Sequence, residues 1–231
     1  MFFRKRKSKI SLEEQKNLFL DASDSFVMED NYEDAILCFD KALELDPTDF
    51  TTWQLKGIIC TFMEDYEEAV ECFGHALELN PTLKMWKCQT HFLNKLGRFP
   101  EALKCSEEAL RLDPKNSKML FERGYTLIRL KRYPEGLDFY DKALKQDPEY
   151  VKVWYFKGFA LIQTGKYDAA LECFNKALDL NPETDHAWSG KGMALEKLGK
   201  PEEALKSHKK ALQINPNSQI SKKGIENIQT D

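Results

Sequence analysis

The stretch Trp154–Pro182 reads WYFKGFALIQTGKYDAALECFNKALDLNP, and it decides the fold because its pattern recurs along the chain. The recurrence is clearest in prolines that follow Asp or Asn, which lie 34, 33, 34, 34 and 34 residues apart. Self-similarity at such a period indicates a repeat protein, in which neighbouring units bury a shared core. Six units over residues 14–216 are marked by Pro47, Pro81, Pro114, Pro148, Pro182 and Pro216.

Each unit has the pattern of two helices joined by a short break. Phe50–Met63 and Tyr66–Leu79 both carry apolar residues at helical spacing. The second helix is expected to end before the proline, because the residue preceding a proline is pushed out of the helical region. Ser11 and Glu14 form a capping-box pattern ahead of the first unit. Glycines suited to a left-handed turn occupy three of the breaks, at Gly97, Gly165 and Gly199.

Small residues recur on both helices of a unit. Gly57 on the first helix is predicted to face Ala69 on the second, and Gly158 to face Ala170. Two helices approach closely only where both contact residues are small, so a large side chain at Ala69 or Ala170 is expected to cost about 1–3 kcal/mol by overpacking. Bulky residues fill the neighbouring slots, and all four tryptophans share one register: Trp53, Trp86, Trp154 and Trp188.

These features make the sequence similar to the tetratricopeptide repeat (TPR) family, whose 34-residue pattern is W-x2-L-G-x2-Y, then A-x3-F, then P. Repeat three departs most from this pattern, since it is one residue short and has Thr90 for Gly and Ser106 for Phe. Other departures are the lysines in place of Leu and a histidine in the Phe slot: Lys56, Lys157, Lys191 and His208. The resemblance implies an all-α fold, a right-handed α-solenoid of six helix-turn-helix units with a C-terminal capping helix. Repeat five carries the pattern as Trp154, Gly158, Leu161, Tyr167, Ala170, Phe174, Ala177 and Pro182.

The chain is expected to have three segments. A basic and disordered leader covers residues 1–10, six tandem repeats cover 11–216, and a capping helix with a tail covers 217–231. Contact with an anionic membrane or a nucleic acid is the alternative for the leader, whose basic residues are Arg4, Lys5, Arg6, Lys7 and Lys9. The repeats are placed at about 11–47, 48–81, 82–114, 115–148, 149–182 and 183–216.

The resemblance also implies a concave groove, lined by the first helices, that binds extended or helical segments of other proteins. The family's inward positions lie two residues before the Trp slot, one and eight residues after it, and one residue after the small slot. In repeats four and five these positions hold aromatic residues and isoleucines beside a row of lysines, whereas in repeat two they hold Thr51, Gln54, Ile58 and Thr61. This predicts a hydrophobic peptide groove whose basic rim selects an acidic or carboxylate-bearing partner. The opposing interpretation is that the aromatics pack between helices. The candidate residues are Lys84, Lys87, His91, Lys118, Phe121, Tyr125, Ile128, Lys152, Tyr155, Phe159, Ile162 and Met193.

The resemblance implies a protein-interaction scaffold or adaptor, and the charge of the chain bears on the alternatives. The 231 residues carry 34 Lys+Arg against 38 Asp+Glu, and the resulting net charge of −4 argues against a nucleic acid as ligand. Nucleic acid is kept as the alternative, because bases can stack on aromatics that lie beside lysines. Self-association through the groove is a further alternative. The chain has no apolar run long enough to predict a membrane span.

The sequence offers little for catalysis. The histidines share no register, and Cys88 with His91 would supply only two of the four ligands that structural zinc takes. We therefore predict no enzyme activity, no catalytic residue, no cofactor and no metal. Equivalent cysteines in neighbouring units are expected to lie too far apart to form a disulfide. Free thiols without a signal peptide predict a cytoplasmic protein.

Overall fold

The computed structural model describes residues 10–230, which form thirteen α-helices and no strand. The predicted all-α fold is therefore confirmed. The basic leader falls almost wholly on residues 1–9, outside the described residues. The helices are α1 Leu12–Met28, α2 Tyr32–Leu45, α3 Phe50–Phe62, α4 Tyr66–Leu79, α5 Leu83–Lys95, α6 Phe99–Leu112, α7 Ser117–Arg129, α8 Tyr133–Gln146, α9 Val151–Gln163, α10 Tyr167–Leu180, α11 Asp185–Lys197, α12 Pro201–Ile214 and α13 Gln219–Thr230.

The helices belong to two compact units. The first unit ends at Leu112 and holds the pairs α1–α2, α3–α4 and α5–α6. The second begins at Asp113 and holds α7–α8, α9–α10, α11–α12 and then α13. Within each unit every helix packs on the next one along the chain. In the second unit α7 also contacts α9, α9 contacts α11 and α11 contacts α13, so these four helices form one surface, here called the first-helix face.

The turns between paired helices adopt the left-handed conformation that the sequence suggested. Gly97, Gly165 and Gly199 have φ of 73°, 75° and 71°. The capping box before α1 is present as well: the Glu14 amide donates to the Ser11 hydroxyl at 3.1 Å, and the Ser11 amide donates to the Glu14 carboxylate at 2.7 Å. In the other three turns the same conformation falls on residues with a side chain, at Asp30, Glu64 and Lys131.

Close helix contact at the small residues sets the packing inside a pair. A Cβ added to Gly57 would lie 2.7 Å from Cε1 of Phe73, and one added to Gly158 would lie 2.7 Å from Cε1 of Phe174. Both rings are fully buried. The glycines are therefore required where the bulky ring of the second helix crosses the first. We refer to α3–α4 as repeat two and to α9–α10 as repeat five.

Two of the three lysines that replace the Leu of the pattern form ion pairs with the preceding helix. In repeat two the ammonium of Lys56 lies 2.8 Å from Asp40 of α2 and 2.5 Å from Glu68 of α4. Burial alone would lower the pKa of Lys56, but the hydrogen bonds to these carboxylates outweigh it and raise that pKa. In repeat five Lys157 pairs in the same way with Asp141 of α8. Each lysine thus links its repeat to the preceding helix.

The last helix, α13, is anchored by the histidine that departs from the pattern. His208 is fully buried, and its Nε2 lies 2.5 Å from Oε1 of Glu196 on α11. Its Nδ1 lies 3.3 Å from the hydroxyl of Ser221 on α13, which in turn lies 2.8 Å from the hydroxyl of Ser189. Ser221 is also fully buried, and this chain of hydrogen-bonded groups fastens α13 to the repeat before it.

Candidate functional site

Aromatic side chains of α7, α8 and α9 form a connected cluster beneath the first-helix face. Phe121 stacks on Tyr140 with ring centroids 5.8 Å apart and meets the edge of Phe156 at 5.2 Å. Tyr125 and Tyr155 contact the same ring of Phe156, at 5.6 Å and 5.0 Å. Phe156 therefore joins the aromatics of two successive repeats, although the sequence prediction did not include it.

Two of the residues that the sequence predicted to bind a peptide are buried, which corrects that prediction for them. Phe121 is 2% exposed, because Tyr140 lies against one side of its ring and the Lys152 ammonium lies 4.8 Å from the ring centroid. Ile162 is 8% exposed. Ile128 is half-buried and packs on α8, where a Cβ at Gly136 would lie 2.6 Å from its Cδ1. For Phe121 and Ile162 the packing interpretation is right, and they form the floor of the face.

The other aromatics keep part of their surface in solvent. Tyr125, Tyr155 and Phe159 are all half-buried. Phe159 meets the edge of Phe174 at 5.1 Å, and Tyr155 lies 5.7 Å from the His186 ring of the next repeat. Burial, with a contribution from Asp185, raises the pKa of Tyr155, so its hydroxyl stays protonated and can donate a hydrogen bond. The face thus presents rigid rings with a polar tip.

Cations border these rings. Lys152 is exposed, and its ammonium lies 4.8 Å from the Phe121 ring centroid. Lys118 is exposed as well. Arg129 adds a third cation that sequence reasoning missed. One nitrogen of its guanidinium lies 2.7 Å from the Tyr125 hydroxyl, and its central carbon lies 5.7 Å from the Tyr125 ring centroid. Its position four residues after Tyr125, on the same side of a helix, was the available signal.

The face continues onto α13. Met193 and Ile162 line a cavity of about 280 Å³ together with residues of α13. The sequence contained a signal for this, since Pro216 keeps the repeat spacing and places α13 in the register of a first helix. Three inward positions of that register line the cavity, and they hold Ile220, Lys223 and Asn227. Gly224 of α13 also lines it.

The remaining candidates lie on α5, in the first unit. Lys84 and His91 are exposed there, Lys87 is half-buried, and the His91 ring meets the edge of Phe92 at 5.1 Å. These residues are not part of the first-helix face, which was defined by helices of the second unit. Across residues 10–230 no three His, Cys, Asp or Glu side chains are grouped so that they could hold a metal ion, and this includes the neighbourhood of Cys88.

The six cysteines are all free. The sequence prediction considered only equivalent cysteines of different repeats. Within repeat two, Cys60 and Cys72 lie close enough to form a side-chain hydrogen bond. That hydrogen bond, together with burial, raises the pKa of Cys72. In the described part of the chain, no helix is both long and apolar enough to cross a membrane.

Comparison with known proteins agrees with the repeat pattern. Three models described as tetratricopeptide repeat match the chain, at residues 28–49 and 50–83, at 93–151, and at 151–184 and 186–218. No curated protein matches the sequence.

Solved structures share the fold at low sequence identity. A tetratricopeptide repeat protein from Parabacteroides merdae is 17% identical, with 94% of this chain and 99% of that chain covered and a TM-score of 0.72. MamA from Desulfovibrio magneticus RS-1 is 21% identical, with 76% and 99% covered and a TM-score of 0.68. YrrB, a TPR protein with an unusual peptide-binding site, is 21% identical, with 81% and 97% covered and a TM-score of 0.61. The predicted α-solenoid fold is confirmed, and the chain belongs to the tetratricopeptide repeat family.

Proposed function

We propose that the first-helix face of the second unit binds a segment of a partner protein and that the chain is a non-enzymatic adaptor. TPR proteins are in general protein–protein interaction scaffolds. The observation that carries the proposal is the set of half-buried rings on this face, Tyr125, Tyr155 and Phe159. The packing slots of these repeats are filled by other residues, such as Phe174, so the remaining ring surface is available for a ligand. YrrB, with its unusual peptide-binding site, is a precedent on the same fold.

The chemistry of the face favours an acidic segment that also carries apolar side chains. Large rigid rings supply binding energy where they exclude water from a ligand. Lys152 and Arg129 lie over rings of this face, and Lys118 is exposed on the same helix as Tyr125. The cavity near α13 is lined by Lys197 and Lys223 together with Glu196, so positive charge predominates beside the apolar surface. Such charges accelerate the encounter with an acidic segment and select against basic ones.

Selection from a displayed library of random 12-residue peptides tests the proposal. The protein is compared with a variant carrying Tyr125→Gln, Tyr155→Gln and Phe159→Gln, in which Phe121 is kept because it belongs to the core. The matched control is Phe62→Gln, since this ring is 64% exposed and lies in the first unit. Circular dichroism establishes that all three proteins remain helical.

We expect wild type and the Phe62→Gln control to enrich the same peptides, which combine Asp or Glu with aromatic or aliphatic residues. The triple variant should lose at least about tenfold in affinity for them, which corresponds to roughly 1.4 kcal/mol. Peptides retained equally by the triple variant would show that the face is not the site. Steep salt dependence with an oligonucleotide in place of the peptide would favour the nucleic-acid alternative. A dimer in light scattering that the triple variant abolishes would favour self-association.

The free cysteines suit a reducing compartment and support a cytoplasmic location.

A further inference from the structure

Repeats two and five build the same polar environment beside their tryptophan. In each, a lysine of the first helix lies near the Trp ring and pairs with an aspartate of the preceding helix. A buried cysteine of the second helix completes the arrangement. The equivalent residues are Trp53 and Trp154, Lys56 and Lys157, Asp40 and Asp141, and Cys72 and Cys173.

The two environments differ at several positions, and one of these lies directly beside the lysine. In repeat two the carboxylate of Glu68 lies 2.5 Å from the Lys56 ammonium and occupies the space next to it. In repeat five the equivalent residue is Ala169, which has no carboxylate to offer Lys157. A cavity of about 550 Å³ lies there, between α8, α9 and α10. Its apolar walls are Leu137, Trp154, Leu161, Ala169 and Cys173.

The rim of this cavity is also more positive than its counterpart. Lys166 stands where repeat two has Asp65, and Lys176 stands where repeat two has His75. In repeat two the His75 ring lies over Trp53 with ring centroids 4.4 Å apart. Every exchange from repeat two to repeat five at these positions therefore adds positive charge or removes negative charge. Asp141 and Glu172 also line the cavity, and Asp141 is paired with Lys157.

We propose that the cavity of repeat five binds a small-molecule carboxylate with an apolar body. The ligand's carboxylate takes the position beside Lys157 that Glu68 takes beside Lys56, and its apolar body lies against Trp154 and Leu161. Charge-assisted hydrogen bonds of this kind are among the stronger polar contacts in proteins. The binding is non-covalent, because Cys173 is a wall of the cavity rather than a nucleophile: burial raises the pKa of its thiol to about 11.

Titration with octanoate, followed by the indole N–H resonances of the tryptophans, tests this proposal on the full chain. The Trp154 resonance is identified by Trp154→Phe, and the Trp53 resonance is the internal reference for the filled counterpart. Octanol is the uncharged control ligand. We expect octanoate to shift the Trp154 signal with saturation, to leave the Trp53 signal unchanged, and to bind roughly tenfold more tightly than octanol, since only octanoate can pair with Lys157.

Two variants locate the contact. Ala169→Glu copies repeat two and should abolish the saturable shift, because its own carboxylate occupies the place beside Lys157. Ala169→Ser is the matched control and should bind octanoate as wild type does. Lys157→Met keeps the aliphatic stem and should reduce the affinity to that of octanol. Equal binding of octanoate and octanol, or an unchanged titration with Ala169→Glu, would overturn the proposal. Either result would leave the proposal for the first-helix face standing, because the peptide selection that tests the face changes no residue of this cavity.

Discussion

Repeats two and five share one scaffold and differ on both of their surfaces. Their packing slots hold the same residue types, with Gly57 and Gly158 opposite fully buried Phe73 and Phe174. On the inward positions repeat two presents Thr51, Gln54, Ile58 and Thr61, whereas repeat five presents Lys152, Tyr155, Phe159 and Ile162. Beside the tryptophan, repeat two pairs its lysine with Glu68, whereas repeat five has Ala169 at that position and a cavity of about 550 Å³. Slots that determine the fold are thus separate from positions that determine what a repeat can bind.

The largest effect on the free energy of unfolding is expected at the packing slots, where the two repeats are alike. Phe73→Ala and Phe174→Ala each remove a fully buried ring, so each should lower the free energy of unfolding by about 3–5 kcal/mol. Urea unfolding followed by circular dichroism measures both. If one of the two substitutions were tolerated, the packing slots of the two repeats would not be equivalent and the comparison would break.

A smaller effect is expected where they differ in charge. Glu68→Ala leaves the largely buried Lys56 with Asp40 alone and should destabilise the protein by about 1–2 kcal/mol, since a buried charge loses one of its hydrogen-bonded partners. Ala169→Glu supplies the missing partner in repeat five and should leave stability unchanged or raise it. The same urea titration compares the two variants. A loss of stability in Ala169→Glu would show that Lys157 does not face the open space.

The fold could be predicted from the sequence because its determinants are local and periodic. The spacing of the prolines, the helical spacing of apolar residues and the glycines of the turns each follow from the chain alone. The left-handed turns at Asp30, Glu64 and Lys131 could not be predicted from residue type, since residues with a side chain rarely adopt this conformation. The anchoring role of His208 could not be predicted either, because the repeat register does not show that a histidine in the Phe slot would hydrogen-bond to Ser221 of the next helix.

The candidate site could be predicted only in part. Register predicts which positions point inward, and continuing it into α13 would have included Ile220 and Lys223, which line the cavity beside Met193. Register does not tell how deeply a side chain is buried, because burial depends on what surrounds the side chain in three dimensions. Phe121 is in an inward register position but is covered by Tyr140 and Lys152, whereas Tyr155 keeps part of its ring in solvent.

The central claim is that the first-helix face of the second unit contacts a partner segment. Photo-crosslinking tests it most directly, with a benzophenone amino acid placed at Tyr155 and, as the matched position of repeat two, at Gln54. The full-length protein is irradiated in the cells from which the chain comes, and adducts are mapped by mass spectrometry. We expect an adduct at position 155 that joins the chain to an acidic, apolar-containing segment of another protein, and none at position 54. Adducts at position 54 alone, or at neither position, would contradict the account.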